Sequence, residues 1–218
     1  MLKLYFAPGA CSFVPHVALE VIKSATGTDF ETTLVKFHKG EQTAPEYLAM
    51  NPNGQVPVLL VDGKPLTQIV AICEYLDRSF PQAGLLPADP WARSQAMSVL
   101  AWMNNTVHPA FTHIFRPEKF ATGEAAIAEL KRFNTAQFTQ YLQRIEGHIT
   151  QAHPFLFGDR LSFADVYTIV FWRWGGIAGI APDTLPVYRA YVDKLAALPA
   201  VAAAIERERI ALHMFKTA

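Results

Sequence analysis

The stretch Leu2-Lys3-Leu4-Tyr5-Phe6-Ala7-Pro8-Gly9-Ala10-Cys11-Ser12 decides how this chain is read. Leu2 to Phe6 is a short apolar run that Ala7-Pro8-Gly9 ends, which predicts a buried strand entering a loop. From Phe13 to Ile22 the period changes. Val14, Val17, Ala18, Val21 and Ile22 recur at helical spacing, and Gly27 supplies a stop. Thr32 to Phe37, rich in β-branched and aromatic residues, predicts a second strand. A β-α-β unit of this kind favours a parallel pair. Cys11 therefore falls just past a strand and just before a helix.

Working outward, a polar stretch from His38 to Thr43 and a helical piece near Tyr47 lead to the turn Asn51-Pro52-Asn53-Gly54. Val56 to Val61 reads as a strand, Asp62-Gly63 as a two-residue hairpin turn, and Pro65 to Thr67 as the returning strand. A helix from Gln68 to Ser79 completes the order β-α-β-α-β-β-α over residues 1–80, a compact α/β domain with a mixed sheet. Residues 81–90, proline-rich and aperiodic, suit a linker. Residues 91–218 then carry helical patterns over Trp91 to Phe115, Ala125 to Thr150, Phe163 to Trp174, Leu185 to Leu198 and Val201 to Leu212, an all-α domain.

Composition removes several function classes. Of 218 residues, 51% are hydrophobic and 17% charged, which excludes a disordered chain. Lys plus Arg and Asp plus Glu both number 19, so no net positive field draws nucleic acid or an anionic membrane. No run approaches a membrane span, and the start lacks the apolar core of a signal peptide. The expectation is a soluble, cytoplasmic protein whose two cysteines, Cys11 and Cys73, stay thiols. A Cys-x-x-Cys dithiol, a Gly-rich phosphate loop, a His-Glu-x-x-His and a Gly-x-Ser-x-Gly are all absent, and the seven His residues lack metal-ligand spacing.

The chemistry then rests on a few side chains. At a helix N-terminus the amides and dipole lower a thiol pKa, which makes Cys11 a candidate nucleophile; the other reading is a small buried filler. Ser12 is a helix cap or a catalytic hydroxyl, and Tyr5 a core ring or a hydroxyl donor. Cys73, inside a helix beside Ile72, is structural. Pro57 opens a strand that should be interior, which calls for an ordinary strand-initiating proline or a cis Val56-Pro57 bond. Asn105 and His108, three apart, share one predicted helix face, while Pro109 also allows a simple helix bend. Phe111, Phe115, Trp172 and Trp174 are core residues or the walls of an apolar pocket.

Three segments in order, Leu4 to Ser12, Asn51-Pro52-Asn53-Gly54-Gln55-Val56-Pro57-Val58-Leu59 and Gly158-Asp159-Arg160-Leu161-Ser162-Phe163-Ala164-Asp165, resemble the cytosolic glutathione S-transferases. The Pro-Gly-x-Cys-Ser start is most similar to the bacterial beta class. The resemblance implies a thioredoxin-like N-terminal domain, an all-helical C-terminal domain and a homodimer. It implies glutathione as co-substrate, with its sulfur beside Cys11 and with Ser12 and Tyr5 nearby. It places the backbone of Val56, before a cis Pro57, on the cysteinyl part, Lys39 on the glycyl carboxylate, Asn105 and His108 toward the tripeptide, and Phe111, Phe115 and Trp172 around a small apolar electrophile. Ser162 to Asp165 matches the family's helix capping box.

One departure stands out. The family reads Glu-Ser where this chain has Gln68-Ile69. Gln68 can still accept from the γ-glutamyl ammonium, and the Ile69 amide can still donate to the carboxylate. A charge-assisted bond worth roughly 1.5–3 kcal/mol is lost. The implied activity is conjugation of glutathione to apolar electrophiles. The alternatives are thiol-disulfide exchange through Cys11 and a non-catalytic ligand-binding or interaction protein of the same fold.

Overall fold

The structure, a computed structural model, describes residues 1–151 and 154–214. Strands β1 (Leu2–Phe6), β2 (Phe30–Leu34), β3 (Val58–Val61) and β4 (Lys64–Thr67) form one sheet in the order β2-β1-β3-β4. β1 runs parallel to β2 and antiparallel to β3, which pairs antiparallel with β4. Helix α1 (Phe13–Thr26) makes the crossover; α2 (Pro45–Met50) and α3 (Ile69–Ser79) complete the predicted β-α-β-α-β-β-α order. Asp62 and Gly63 turn the hairpin with φ of 48° and 79°, positive at both central positions as a type I′ turn requires.

Side chains alternate across a strand, so Leu2, Leu4 and Phe6 enter the core with α1 and α3 while Lys3 and Tyr5 face the other way. The helical part comprises α4 (Pro90–Trp102), α5 (His108–Phe115), α6 (Glu124–Thr150), α7 (Phe163–Ile177), α8 (Pro186–Ala196) and α9 (Pro199–Glu208). α7 is buried along nearly its whole length, and its N-terminus carries the Ser162–Asp165 capping box. α1 packs on α7 and α9, so one continuous core spans both parts. Arg93 on α4 ties the parts together through Asp77 at 2.6 Å and Glu74 at 2.7 Å on α3.

Several boundaries differ from expectation for local reasons. The single helix read over Trp91 to Phe115 is three pieces, with a π-turn at Met103–Val107 between α4 and α5. Pro109 cannot donate to the Asn105 carbonyl, and the ladder slips so that the His108 amide bonds Met103 instead. The Val56 strand starts only at Val58, after a cis Val56-Pro57 bond. Gln68 lies outside α3 at φ 70° and ψ 117°. The last helix stops at Glu208, where Arg209 turns left-handed at φ 52°.

Candidate functional site: a two-lobed cleft at Cys11

β1 delivers the loop Ala7 to Ser12 to the seam between sheet and helices, where three elements hold it. The Ser12 hydroxyl accepts from the Ala7 amide and donates to the Ala7 carbonyl, both at 3.2 Å. The Gly9 amide donates to Glu208 Oε2 on α9 at 2.8 Å, and Trp174 Nε1 on α7 donates to the Gly9 carbonyl at 3.0 Å. Glu208 Oε1 in turn meets His16 Nδ1 at 2.8 Å, with both side chains fully buried. Gly9 has φ 63°, a left-handed conformation that favours glycine, and a Cβ there would stand 2.7 Å from the Arg173 guanidinium, which would have to move aside.

The cleft beside this loop has two lobes. The first, about 440 Å³, is walled by Val56, Pro57, Gln68, Ile69, Asn104 and His113 among others. The second, about 570 Å³, has an aromatic wall of Phe111, Phe115 and Trp174 and carries the cations Arg116, Lys119 and Arg173. Phe111 stacks on Trp174 at 4.4 Å between centroids and on Phe115 at 5.5 Å. Cys11, Phe37, His108 and Thr112 line both lobes.

Burial governs the two titratable groups at the junction. It pushes the Cys11 thiol up to about 12, against the lowering effect of the Cys11 and Ser12 amides. The sequence expectation of a lowered thiol pKa is thus reversed, because desolvation outweighs the helix N-terminus. The thiol keeps its proton and donates to the Val56 carbonyl at 3.6 Å. Burial likewise lowers His108 to about 4, leaving its imidazole neutral. His108 Nδ1 lies 2.8 Å from the Tyr167 hydroxyl. That fully buried phenol has no other acceptor among the described residues, so it donates to Nδ1 and fixes the ring as the Nε2–H tautomer.

The sequence-predicted residues divide. Cys11, Val56, Pro57, Gln68, Ile69 and His108 converge on the first lobe, and Phe111 and Phe115 on the second. Five others lie elsewhere. Tyr5 packs edge-on against Tyr47 at 5.9 Å, on the sheet face opposite the main core, because strand alternation turns it there. Ser12 is fully buried, its hydroxyl closed on Ala7 and making no helix cap. Lys39 is exposed in a turn and lines neither lobe. Asn105 is exposed, and Asn104 shares the lobe with His108 instead, because the π-turn makes four residues, not three, the spacing of one face. Trp172 lies on the far side of α7, donating from Nε1 to His213 at 3.1 Å, and Trp174 takes its place at the cleft.

Sequence reading missed Tyr167, Glu208 and the three cations of the second lobe. They reach the site from α7, α9, the end of α5 and the 3-10 turn Pro117–Lys119 after it, and nothing local marks them. Among the described residues no group of His, Cys, Asp or Glu could hold a metal ion.

This architecture is shared. Residues 1–78 match the glutathione S-transferase N-terminal domain and residues 102–199 the C-terminal domain. The glutathione S-transferase GstA of Escherichia coli O157:H7 is 33% identical over 95% of this chain and 98% of its own length. A glutathione transferase homologue from Sulfitobacter, solved with bound glutathione, superposes with a TM-score of 0.87 at 30% identity, covering 96% of this chain and 99% of its own. The bacterial beta class glutathione S-transferase of Sphingomonas chungbukensis gives 0.80 at 31% identity, covering 94% and 98%. Full-length relatives at this identity, with both domains matched in order, place the chain in the glutathione S-transferase family.

Proposed function

We propose that the protein is a glutathione transferase in which the first lobe takes glutathione and the second an electrophile bearing an apolar ring. The carrying observation is that two unlike lobes, one walled by Val56, Pro57, Gln68 and the first residue of α3 and one by Phe111, Phe115 and Trp174, meet at Cys11 and His108. The first amides of α3, at Ile69, suit the γ-glutamyl carboxylate, and Gln68 accepts from the ammonium. Val56 pairs its backbone with the cysteinyl residue, and this contact releases the Cys11 S–H from the Val56 carbonyl. The positive φ of Gln68, rare for a side chain of this kind, marks strain at a binding position.

Cys11 and His108 are both uncharged donors here. A neutral thiol and an Nε2–H at the junction stabilise the glutathione thiolate by hydrogen bonding, and its proton leaves to solvent. The sulfur then forms a C–S bond with the electrophile while the leaving group departs with its electron pair. The raised thiol pKa of Cys11 and the burial of Cys73 within α3 disfavour thiol-disulfide exchange as the main activity.

We further take the protein to work as a homodimer in the cytoplasm. Trp91 on α4 and Phe133 on α6 leave large apolar side chains exposed for a second copy. No helix among the described residues is long and apolar enough to cross a membrane. The direct test is turnover of glutathione with chlorodinitrobenzene by wild type and Cys11→Ser. The serine variant keeps conjugation within about tenfold, since a hydroxyl also donates. Wild type that exchanges disulfides through Cys11 but does not conjugate glutathione would contradict the assignment.

A further inference from the structure

The second lobe is apolar on its aromatic side, yet its charged lining is all of one sign. Arg116, at the end of α5, Lys119 and Arg173 on α7 contribute to it, and no Asp or Glu does. The chain as a whole has no net charge, so this is a local concentration. Arg173 is the best placed of the three. It is half-buried against Gly9, and Nε donates to the Ala211 carbonyl at 3.0 Å. The amino groups of its guanidinium have no partner among the described residues. Glu208, the acid behind Gly9, acts on Arg173 through space, but its hydrogen bonds are spent on the Gly9 amide and His16, and it does not line the lobe. Glu118 approaches Arg116 only at 3.9 Å, with both side chains about half exposed, so it neutralises little.

A half-buried guanidinium with unspent donors beside an aromatic wall fits one kind of ligand: a flat apolar ring bearing a carboxylate or similar planar anion. We propose that this lobe selects anionic aromatic electrophiles, the ring lying against Phe111, Phe115 and Trp174 and the anion on Arg173, with Arg116 and Lys119 adding attraction at the mouth. The inference rests on the transferase reading, since the reaction is the same conjugation. The glutathione sulfur bonds the ring carbon, the C–Cl bond breaks, chloride leaves with the bonding pair, and the thiol proton passes to solvent.

The same carboxylate chemistry could come from the glycyl end of glutathione, and the test separates the two sources. Wild type, Arg173→Gln and the double variant Arg116→Gln/Lys119→Gln are assayed with a chlorodinitrobenzoate and its neutral counterpart chlorodinitrobenzene. For each, kcat/KM is corrected for the uncatalysed rate. Wild type is expected to favour the benzoate, and Arg173→Gln to lower the benzoate-to-neutral ratio by about ten- to hundredfold. The double variant, which changes two surface residues and serves if Arg173→Gln fails to fold, lowers the ratio by about two- to fivefold, an effect that fades with added salt. An unchanged ratio in both variants overturns the proposal. So does a loss confined to the KM for glutathione, which would assign the cations to the tripeptide. If wild type conjugates neither compound, the transferase reading fails. Calorimetric titration of unreactive dinitrobenzoate and dinitrobenzene then decides the anion site by itself, and equal affinities would overturn it.

Discussion

The hydroxyl of Tyr167 stands 2.8 Å from Nδ1 of His108, and the contact joins the buried spine of α7 to the junction of the two lobes. Tyr167 is fully buried and touches neither lobe, so it acts through the histidine. Tyr167→Phe keeps the ring and its stacking on Phe171 while removing the bond that sets the tautomer. The expected result is a fall in kcat of about tenfold, the order of one lost hydrogen bond, with the KM for glutathione moved far less. Nitrogen NMR of the imidazole should show mixed tautomers in the variant and a single Nε2–H form in wild type. A single tautomer in both, with unchanged kcat, would remove Tyr167 from the account.

Burial of His108 also has a pH signature. Its pKa is lowered from 6.5 to about 4 in the folded protein, so between these values the unfolded chain binds more protons. Stability supplied by the neutral ring is therefore fully present above pH 6.5 and is lost as pH falls toward about 4. Urea unfolding across this window should show wild type losing stability relative to His108→Asn as the solution is acidified. A constant difference between the two proteins would mean that the ring titrates normally.

Gln68 separates stability from binding. Its side chain is exposed and its backbone sits at φ 70°, so Gln68→Gly relieves strain and raises stability by about 1 kcal/mol. The same change removes the acceptor for the ammonium and weakens glutathione binding. Gln68→Glu, conversely, restores a charge and tightens binding by about three- to tenfold. Thermal melts and calorimetry on the two variants check both signs. A Gln68→Gly protein that binds as tightly as wild type would show that this side chain does not touch glutathione.

Glu208 is the brace of the Cys11 loop, though it lies 197 positions away in the chain. Glu208→Ala leaves the Gly9 amide and His16 without a buried partner and should cost about 3 kcal/mol in denaturant unfolding. Faster hydrogen exchange at Gly9 to Cys11 should accompany it. Loss of less than about 0.5 kcal/mol would mean that the loop is held by Trp174 and Ser12 alone.

Much of the fold was written locally. The switch from period two to period 3.6 at Ala7-Pro8-Gly9, the Asp62-Gly63 turn and the Ser162–Asp165 box each act within a few residues, and each forms where expected. Cys11 and Val56 were legible for the same reason, as ends of elements. Asn105 was misplaced because a proline four residues on converts an α-turn to a π-turn, a change of register that helical spacing alone does not carry. Trp172 and Trp174 are two apart on one helix, and only the packing of α7 decides which one meets the cleft. The Cys11 pKa was read from the helix N-terminus, a local effect, while burial is set by the tertiary fold and dominates.

In the proposed function, glutathione binds the cleft with its sulfur at Cys11 and His108 and is held there as the thiolate. Ultraviolet difference titration of glutathione added to wild type, with Cys11→Ala alongside, reads both binding and ionisation from the thiolate band. A saturable thiolate signal is expected at neutral pH, well below the pKa of about 8.5 of a free thiol, with a smaller signal in Cys11→Ala. Glutathione that binds but stays protonated at neutral pH, or that does not bind at all, would contradict it.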